Sequence, residues 1–540
     1  MDITTSLETV KTAIAADDIA TAVRVATEAV GAGAQNGLLF NLAAHGLQLE
    51  RRYDEAMDLL TRAQKLAPND PLILNAIGQL LSQQGKASEA AVAFQRALVH
   101  DHRLAPAHNG LGLAFEVLGD TERARLHFER AIQYAPTFAD PLGSLAVLAV
   151  LRKANDEGRV FAERALAIDP FQSAASLSLA TIDFQAGDLA AAEARLRALL
   201  AHGSLPPLHE ASAWKLLGDV LDARHEAREA FRAYSSGNAL FRAVNDPLVQ
   251  ASGVENGVDL THRLARYFAA APTSSWSAAP PPRPADGPAR HVFMMGFFRS
   301  GTTLLDQVLA SHPGVRTLEE RATLDEVAFE FFQSDEALDR LSTLSDSQAA
   351  ELQADYWRRV RSFGVEPADK VFVDKLPLST LWTPLIVKVF PQARILFVRR
   401  DPRDVVLSCF RHRFHATPLM HEFTDIRRAA MFYDGVMGLY EIYQEKLAPP
   451  ARICRHEDLV NRFDEEAGEI CAFLGIPWRE EMRDFVQTAR SREVRTPSAP
   501  QVVRGLYASG IGQWRAYAPA MPEALEILAP WVERFGYPRT

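Results

Sequence analysis

The chain has 540 residues, which is more than one ordinary hydrophobic core serves, so we expect several folded units. A hydrophobic content of 48% with 23% charged residues excludes a mainly disordered protein. The formal net charge of −10 argues against broad binding to nucleic acid or to anionic lipid. Any site for an anion must therefore be local.

Cysteine usage and the first residues predict the compartment. The three cysteines, Cys409, Cys454 and Cys471, are too few for a disulfide framework and lack metal-ligand spacing, so we interpret them as buried thiols. Residues 1–18 carry acids where a signal peptide needs a basic and then an apolar region. No apolar run reaches the length of a membrane span. We expect a cytoplasmic protein without a membrane span.

Small residues recur every 34 positions through the first part of the chain. One series is Ala22, Ala56, Ala90, Ala124, Gly158 and Ala192, and a second is Ala29, Ala63, Ala97, Ala131 and Ala165. Pro136 and Pro170 keep the same period. Unrelated amphipathic helices would not hold this register. The pattern resembles the tetratricopeptide repeat (TPR), in which small residues let two helices pack closely and Pro ends the second. The resemblance implies an α-solenoid over residues 1–240 with a protein partner on its concave face.

The composition changes after the repeats. Residues 241–290 are expected to form a connecting helix and a linker, because the stretch Pro272–Pro288 is too rich in Pro to pack as a regular element. Beyond it the short apolar runs HVFMMGF, VFVDK, ARILFVRR and ARICRHE each precede a helical pattern. This alternation predicts a parallel sheet with helices on its faces, as an α/β three-layer domain over residues 291–540.

A glycine loop follows the first of these strands. A strand, a loop with two glycines and a helix start together build an anion-binding cradle of backbone N–H groups. The candidate phosphate-binding residues are Arg299, Ser300, Gly301, Thr302 and Thr303. A Walker A loop would have Lys after Gly301, where this chain has Thr302. The loop therefore predicts phosphate binding of a kind that differs from an ordinary NTPase.

This loop resembles the phosphosulfate loop of the sulfotransferase superfamily, which reads Gly-x-Pro-Arg-Ser-Gly-Thr-Thr. The match continues through Leu304-Leu305 and Ala310–Pro313, and Phe298 stands where the family usually has Pro. The branch most similar to this chain contains tyrosylprotein sulfotransferases and bacterial TPR-fused sulfotransferases. The resemblance implies a sulfotransferase that uses 3'-phosphoadenosine 5'-phosphosulfate (PAPS), releases PAP and needs no metal.

A second motif is ARILFVRRDPRDVVLSCF, an apolar strand that continues through Pro402 into a helix. In the resembling family an Arg at the strand end and a Ser eight residues later bind the 3'-phosphate, and Arg400 and Ser408 have this spacing. ATP has no 3'-phosphate and would not need this cationic site. The alternative is that Arg400 forms a surface ion pair with Asp401 or Asp404.

Three more residues match the tyrosylprotein branch by local motif. The resemblance implies that Glu320 is the general base, that Lys375 contacts the leaving oxygen and that Ser498 stabilises the same transition state. Together with Arg299 they form the expected catalytic set. Glu319 and Glu320 could instead be solvated charges at a helix start. The chain departs from the family at His456, where a nucleotide-contacting Tyr is common, and at Gln513, where a basic residue is usual.

Two other functions stay open at this point. Asp374 could be a Walker B carboxylate of a kinase-like P-loop enzyme, although the Walker A Lys is missing. The chain could also be a TPR scaffold whose second domain binds nucleotide weakly or is inactive. The acceptor is a hydroxyl; tyrosine of a protein or peptide follows from the resemblance, whereas saccharide, lipid and small-molecule hydroxyls also serve in the superfamily. The sequence does not predict the oligomeric state.

Overall fold

The computed structural model describes residues 3–203, 205–276, 287–367, 369–491, 505 and 510–540. The chain divides into two compact units, Met1–Val220 and Leu221–Thr540. Most of the predicted Pro-rich linker, residues 277–286, lies outside the described residues, as does Ser498. No helix of the described part is long and apolar enough to cross a membrane.

The N-terminal unit, here called the repeat unit, consists of consecutive helices that pack on one another. They are α1 (Ile3–Ala15), α2 (Ile19–Gly31), α3 (Gly37–Leu49), α4 (Tyr53–Leu66), α5 (Pro71–Gln83), α6 (Ala87–His100), α7 (Ala105–Val117), α8 (Thr121–Tyr134), α9 (Ala139–Leu151), α10 (Asn155–Ile168), α11 (Ser173–Gln185), α12 (Leu189–Ala201) and α13 (Pro207–Ala223). The division between the two units falls within α13. The predicted helical repeats are confirmed.

Both series of small residues lie on the even-numbered helices and are buried. Ala56, Ala90 and Ala124 are 0% exposed on α4, α6 and α8. A glycine shows why size matters: a Cβ added at Gly78 on α5 would overlap the ring of Phe94, which is buried on α6. Pro136 follows the end of α8 by two residues, as expected for a residue that cannot continue a helix.

The C-terminal unit is built on a five-stranded sheet in the order β2-β3-β1-β4-β5, in which every neighbouring pair is parallel. The strands are β1 (Arg290–Gly296), β2 (Val315–Glu319), β3 (Val371–Lys375), β4 (Arg394–Arg399) and β5 (Ala451–Arg455). The chain leaves β1 toward β3 and β2 on one side and later leaves β4 toward β5 on the other. The carboxyl ends of β1 and β4 therefore border the crevice where open α/β sheets bind ligands.

The predicted parallel sheet is confirmed, and the sequence missed β2. This strand lies at the sheet edge, and only two of its side chains, Val315 and Leu318, are apolar and buried. It therefore lacks the continuous apolar run that identified the central strands. Glu319 ends this strand, so the alternative that Glu319 and Glu320 start a helix is wrong.

Helices cover both faces of the sheet, as predicted. They are α14 (Ala227–Ala251), α15 (Gly257–Ala270), α16 (Thr302–Ala310), α17 (Asp325–Phe332), α18 (Asp335–Ser342), α19 (Asp346–Ser362), α20 (Thr383–Val389), α21 (Pro402–Arg411), α22 (Ile426–Leu447), α23 (His456–Asn461), α24 (Phe463–Leu474), α25 (Phe485–Ser491), α26 (Trp514–Tyr517) and α27 (Pro522–Arg534). Leu305 of α16 and Ile470 of α24 join Val292 in the core on one face. On the other face Phe293 contacts Tyr356 of α19.

Helix α15 packs into the core of the C-terminal unit. Phe268 of α15 is 0% exposed and meets Tyr443 of α22 edge to face, with ring centroids 5.0 Å apart. At its start, Val258 donates its backbone N–H to Glu422 at 3.2 Å. The C-terminal unit therefore includes chain that precedes the Pro-rich stretch.

Candidate active site

The loop between β1 and α16 has the shape of an anion cradle. Gly301 has φ +105°, a conformation that only glycine adopts without strain, and α16 begins at the next residue. Arg299 also has a positive φ, 65°, which for a residue with a side chain is uncommon and is found at functional sites. Ser300, Thr302 and Thr303 are 2%, 3% and 4% exposed. The loop therefore joins the strand end to the helix start through left-handed residues, with three buried hydroxyls beside the helix start.

This loop is bonded directly to the helix that follows β4. Arg299 Nε donates to Ser408 Oγ at 3.0 Å, and Arg400 Nη1 donates to the carbonyl oxygen of Arg299 at 3.1 Å. The structure thus brings together three residues that the sequence analysis assigned to two motifs. Gly296 at the end of β1 lies in register with Val398 of β4, which explains the proximity.

Arg400 does not form the surface ion pair that the sequence left open. Asp401 accepts instead from Arg403 Nη2 at 2.7 Å, and Asp404 accepts the backbone N–H of Gly512 at 2.6 Å and of Trp514 at 2.9 Å. The Arg400 guanidinium donates to the carbonyl oxygen of Gly510 as well as to Arg299. Both of these acceptors are neutral backbone carbonyl oxygens.

A second polar group lies at the ends of β2 and β3. The Lys375 side chain is 0% exposed, and its Nζ contacts Glu320 Oε1 at 2.8 Å and Glu319 Oε1 at 3.3 Å. Burial raises the pKa of Glu319, while the Lys375 ammonium opposes that change. Glu320 has φ 44° and donates its backbone N–H to the Lys375 carbonyl oxygen at 2.8 Å. The predicted base and the predicted Lys are therefore neighbours.

His456 packs against the phosphate loop. A Cβ added at Gly301 would overlap the imidazole ring of His456, so the glycine also makes room for this side chain. Burial, together with the nearby charge of Arg400, lowers the pKa of His456 to about 3. The imidazole is therefore neutral at physiological pH. It occupies the position at which the resembling family commonly has the phenol side chain of a Tyr.

The other departures from the family pattern also have defined positions. The centroid of the Phe298 ring lies 5.3 Å from the centroid of the Phe414 ring and 5.8 Å from that of the Phe423 ring. Phe298 therefore belongs to an aromatic cluster beside the loop. Gln513 accepts a hydrogen bond from Arg411 Nη1 at 3.1 Å. Arg411 thus supplies positive charge next to the position where the family has a basic residue.

Asp374 lies away from the phosphate loop, on the opposite side of β3 from Lys375. Its carboxylate accepts hydrogen bonds from Thr323 Oγ1 and Tyr356 OH, both at 2.8 Å, and burial raises its pKa to about 6. These contacts do not favour a Walker B role, in which the carboxylate would face a metal ion at the phosphates. In the described part of the chain, no group of three or more His, Cys, Asp or Glu has metal-site geometry.

The sequence analysis found Arg299, Arg400, Ser408, Lys375 and Glu320 by their motifs. It did not identify Thr323 and Tyr356, the two buried hydrogen-bond partners of Asp374. Neither residue belongs to a motif, and both are separated from Asp374 in sequence. Ser498, the remaining predicted site residue, lies outside the described residues.

A glycine loop at the crevice of a parallel sheet, with a second cationic cluster after the neighbouring strand, has the form of an α/β anion-binding site. Residues 291–480 match the profile of the sulfotransferase family, and residues 75–141 match a tetratricopeptide repeat. The C-terminal unit therefore contains a segment similar to the sulfotransferase family, and the repeat unit contains a segment similar to tetratricopeptide repeats.

Several relatives are similar to part of this chain. An uncharacterized protein of Aquifex aeolicus (strain VF5) is 27% identical over 252 residues, which are 44% of this chain and 32% of that protein. The protein-tyrosine sulfotransferase of Drosophila melanogaster is 22% identical over 46% of this chain and 51% of its own length. Protein-tyrosine sulfotransferase 1 of Danio rerio is 23% identical over 46% of this chain and 72% of its own length. The match thus spans about a third of the first relative and about half of the second.

Proposed function

We propose that the C-terminal unit transfers a sulfuryl group from PAPS to a hydroxyl acceptor. The observation that carries this proposal is the contact between the phosphate loop and the helix after β4, where Arg299 bonds Ser408 and Arg400 lies beside both. Two anion-binding groups on neighbouring strands suit a nucleotide that carries a second phosphate away from its 5' end. The match to the sulfotransferase family supports the same donor.

The polar atoms of the site fit such a donor. Ser300 Oγ, Arg400 Nε and His456 Nδ1 are buried and have no hydrogen-bond partner among the described residues. A buried polar atom without a partner is unfavourable unless a ligand supplies one. Phosphate oxygens would accept hydrogen bonds from the Ser300 hydroxyl and the Arg400 guanidinium. We assign the loop from Arg299 to Thr303 to the 5' end of the donor, and Arg400 with Ser408 to the 3'-phosphate.

Catalysis would depend on position and charge, as in phosphoryl transfer. PAPS, when bound, supplies the sulfuryl group. Glu320 accepts the proton of the acceptor hydroxyl, which is a weak nucleophile until that proton is removed. Lys375, next to Glu320, stabilises negative charge on the leaving oxygen, and Arg299 adds positive charge at the loop. Ser498 keeps the supporting role that the family resemblance implies.

We propose that the acceptor is tyrosine in a protein or peptide and that the repeat unit recruits it, or another partner, through its concave face. Support comes from the names of the relatives, which include protein-tyrosine sulfotransferases of several animals, and from the tetratricopeptide repeat match. The three cysteines are buried and unpaired in the described structure, which fits the predicted reducing compartment. The cytoplasm remains our proposal for this chain.

The proposal is tested by incubating the purified full chain with ³⁵S-labelled PAPS and four acceptors: a tyrosine peptide, an oligosaccharide, a lipid alcohol and a small phenol. We expect label on the tyrosine peptide, and about 10- to 100-fold less label with Arg400→Ala when PAPS is kept below saturation. Transfer to a different acceptor would keep the enzyme class and overturn the tyrosine proposal. Transfer of ³²P from ATP, without sulfuryl transfer, would favour the kinase-like alternative. Absence of both activities, with PAP bound weakly, would favour the scaffold.

A further inference from the structure

A row of polar side chains, three of them buried and the fourth, His291, partly exposed, lies between β1, β3 and α19, beneath the candidate active site. It contains His291, Thr323, Tyr356 and Asp374, and the last three are each 2% exposed. The proposed chemistry uses none of them. Buried polar groups are unfavourable unless they are paired, so a paired row of this kind is expected to have a structural or functional purpose.

The hydrogen bonds of this row run in one direction. Tyr356 OH donates to Asp374 Oδ2 at 2.8 Å, so the single phenolic proton is used there. His291 Nε2 lies 2.9 Å from the same phenolic oxygen and must therefore be the N–H donor to it. Burial lowers the pKa of His291 to about 3, which keeps the ring neutral and able to hold this tautomer. His291 thus orients the Tyr356 hydroxyl, and Tyr356 orients the Asp374 carboxylate.

The row ends at the turn that carries Glu320. Thr323, three residues after Glu320, donates its hydroxyl to Asp374 Oδ2 at 2.8 Å. At the other end of the turn, the Glu320 N–H donates to the carbonyl oxygen of Lys375 at 2.8 Å. Both ends of the turn are therefore bonded to consecutive residues of β3.

The turn needs such support because its backbone is strained. Glu320 has φ 44°, in the left-handed region that residues with a side chain rarely adopt. A strained conformation persists only when the surrounding contacts hold it. The Glu320 carboxylate also lies 2.8 Å from Lys375 Nζ, a contact that depends on the same backbone conformation.

We propose that Thr323 and Asp374 are positioning residues for the general base: their hydrogen bond holds the Glu320 turn against β3 and so keeps the Glu320 carboxylate at Lys375. This inference rests on the proposed role of Glu320. Tyr356 and His291 act one step further back by orienting the Asp374 carboxylate. Neither Thr323 nor Asp374 is expected to touch the donor or the acceptor.

The direct test compares Thr323→Val, which removes the hydroxyl and keeps the shape, with Thr323→Ser, which keeps the hydroxyl. Using the full chain, amide hydrogen exchange is followed in the peptide that spans residues 319–324, and PAP affinity is measured by calorimetry. We expect faster exchange in this peptide only for the Val variant, with PAP affinity unchanged within about two-fold for both. Equal exchange in the wild type and the Val variant would overturn the proposal, whether or not the protein transfers sulfate.

A rate measurement tests whether the effect passes through Glu320. With any acceptor that the wild type labels, Thr323→Val should lower kcat by about 10- to 100-fold, because small displacements of a catalytic group have effects of this size. In the Glu320→Gln background the same change should lower kcat by less than about two-fold. If the two losses multiply, Thr323 acts independently of Glu320 and the proposal is wrong.

A second variant covers the case in which Thr323→Val does not fold. Asp374→Leu has nearly the same shape but cannot accept a hydrogen bond from either hydroxyl. We expect the same local increase in exchange over residues 319–324, and a loss of kcat that nearly disappears in the Glu320→Gln background, as for Thr323→Val. A folded Asp374→Leu protein with wild-type exchange in this turn and wild-type kcat would also overturn the proposal.

Discussion

The two units of the chain differ in what they bury. The buried polar side chains of the described repeat unit are mostly uncharged, and its buried Asp183 is paired with Arg159 at 2.8 Å and with Arg195 at 3.3 Å. The C-terminal unit instead buries many charged groups, including Lys375 and Asp306 at 0%, Asp374 and Asp404 at 2% and Arg403 at 3% exposure. One of these groups, Lys375, belongs to the proposed catalytic set.

The two cores are therefore stabilised differently, by apolar packing in the repeat unit and by paired polar groups as well as apolar packing in the C-terminal unit. The repeat unit packs small residues at regular intervals, so each helix pair depends mainly on its neighbours. In the C-terminal unit buried charges are unfavourable unless each one has a partner. A substitution of one charged residue there therefore also affects the residues with which it is paired. We therefore expect substitutions in the repeat unit to alter stability locally and substitutions in the C-terminal unit to alter chemistry.

The largest expected effect is on the rate when the proposed base loses its charge. Glu320→Gln should lower kcat by about 10²- to 10⁴-fold, the usual contribution of general base catalysis, while PAP affinity stays nearly unchanged. Steady-state kinetics with labelled PAPS and calorimetry with PAP measure the two quantities.

Glu319→Gln is the matched control for this change, because Glu319 also contacts Lys375 but at the longer distance of 3.3 Å. It should have a small effect on kcat. If Glu319→Gln carries the loss and Glu320→Gln does not, the base has been assigned to the wrong member of the pair.

The next effect is on donor affinity. Arg400→Ala should weaken PAP binding by about 10- to 100-fold, since hydrogen bonds to charged groups contribute about 1.5–3 kcal/mol each. Arg399→Ala is the control at the neighbouring position: the Arg399 guanidinium lies 3.8 Å from the centre of the Phe535 ring. Its loss should change PAP affinity little. Equal losses in the two variants would mean that Arg400 acts only through general positive charge.

The sequence predicted elements and site residues wherever local patterns were strong. The repeat period identified the helices, and continuous apolar runs identified β1, β3 and β4. It missed β2, an edge strand with only two apolar residues, Val315 and Leu318, and it offered no sign of Thr323 or Tyr356. Those two residues meet Asp374 only through the fold, since Thr323 is 51 and Tyr356 is 18 positions away in sequence. Contacts of this kind are set by tertiary packing.

A packing change in the repeat unit should affect stability without changing donor binding. Ala131 is 0% exposed on α8, and Ala131→Leu should destabilise this unit by about 1–3 kcal/mol through overpacking. Gln133 is exposed on the same helix, so Gln133→Leu is the control and should have little effect on stability. Thermal unfolding and PAP calorimetry measure the two properties. A loss of PAP affinity in Ala131→Leu would contradict the division of roles.

The smallest expected effect concerns the pH dependence of stability. Burial raises the pKa of Asp374 from 3.8 to about 6 in the folded protein, so the folded state binds this proton more tightly than the unfolded state does. The contribution of Asp374 to stability is therefore greatest at acidic pH and is lost as the pH rises through 6. From pH 7.5 to pH 5 the wild type should gain about 1–1.5 kcal/mol relative to Asp374→Asn. Denaturant unfolding at both pH values would show it, and a constant difference would contradict the assigned pKa.

The central claim is that the C-terminal unit recognises a nucleotide by its 3'-phosphate as well as by its 5' end. Calorimetric titration of the full chain with PAP and with ADP tests it most directly, because both ligands carry adenosine with a 5'-phosphate, but the second phosphate is at the 3' position in PAP and extends the 5' end in ADP. We predict that PAP binds about 10- to 100-fold more tightly than ADP, from contacts to Arg400 and Ser408. Equal affinity for the two ligands would contradict the assignment of these residues and the choice of PAPS as donor.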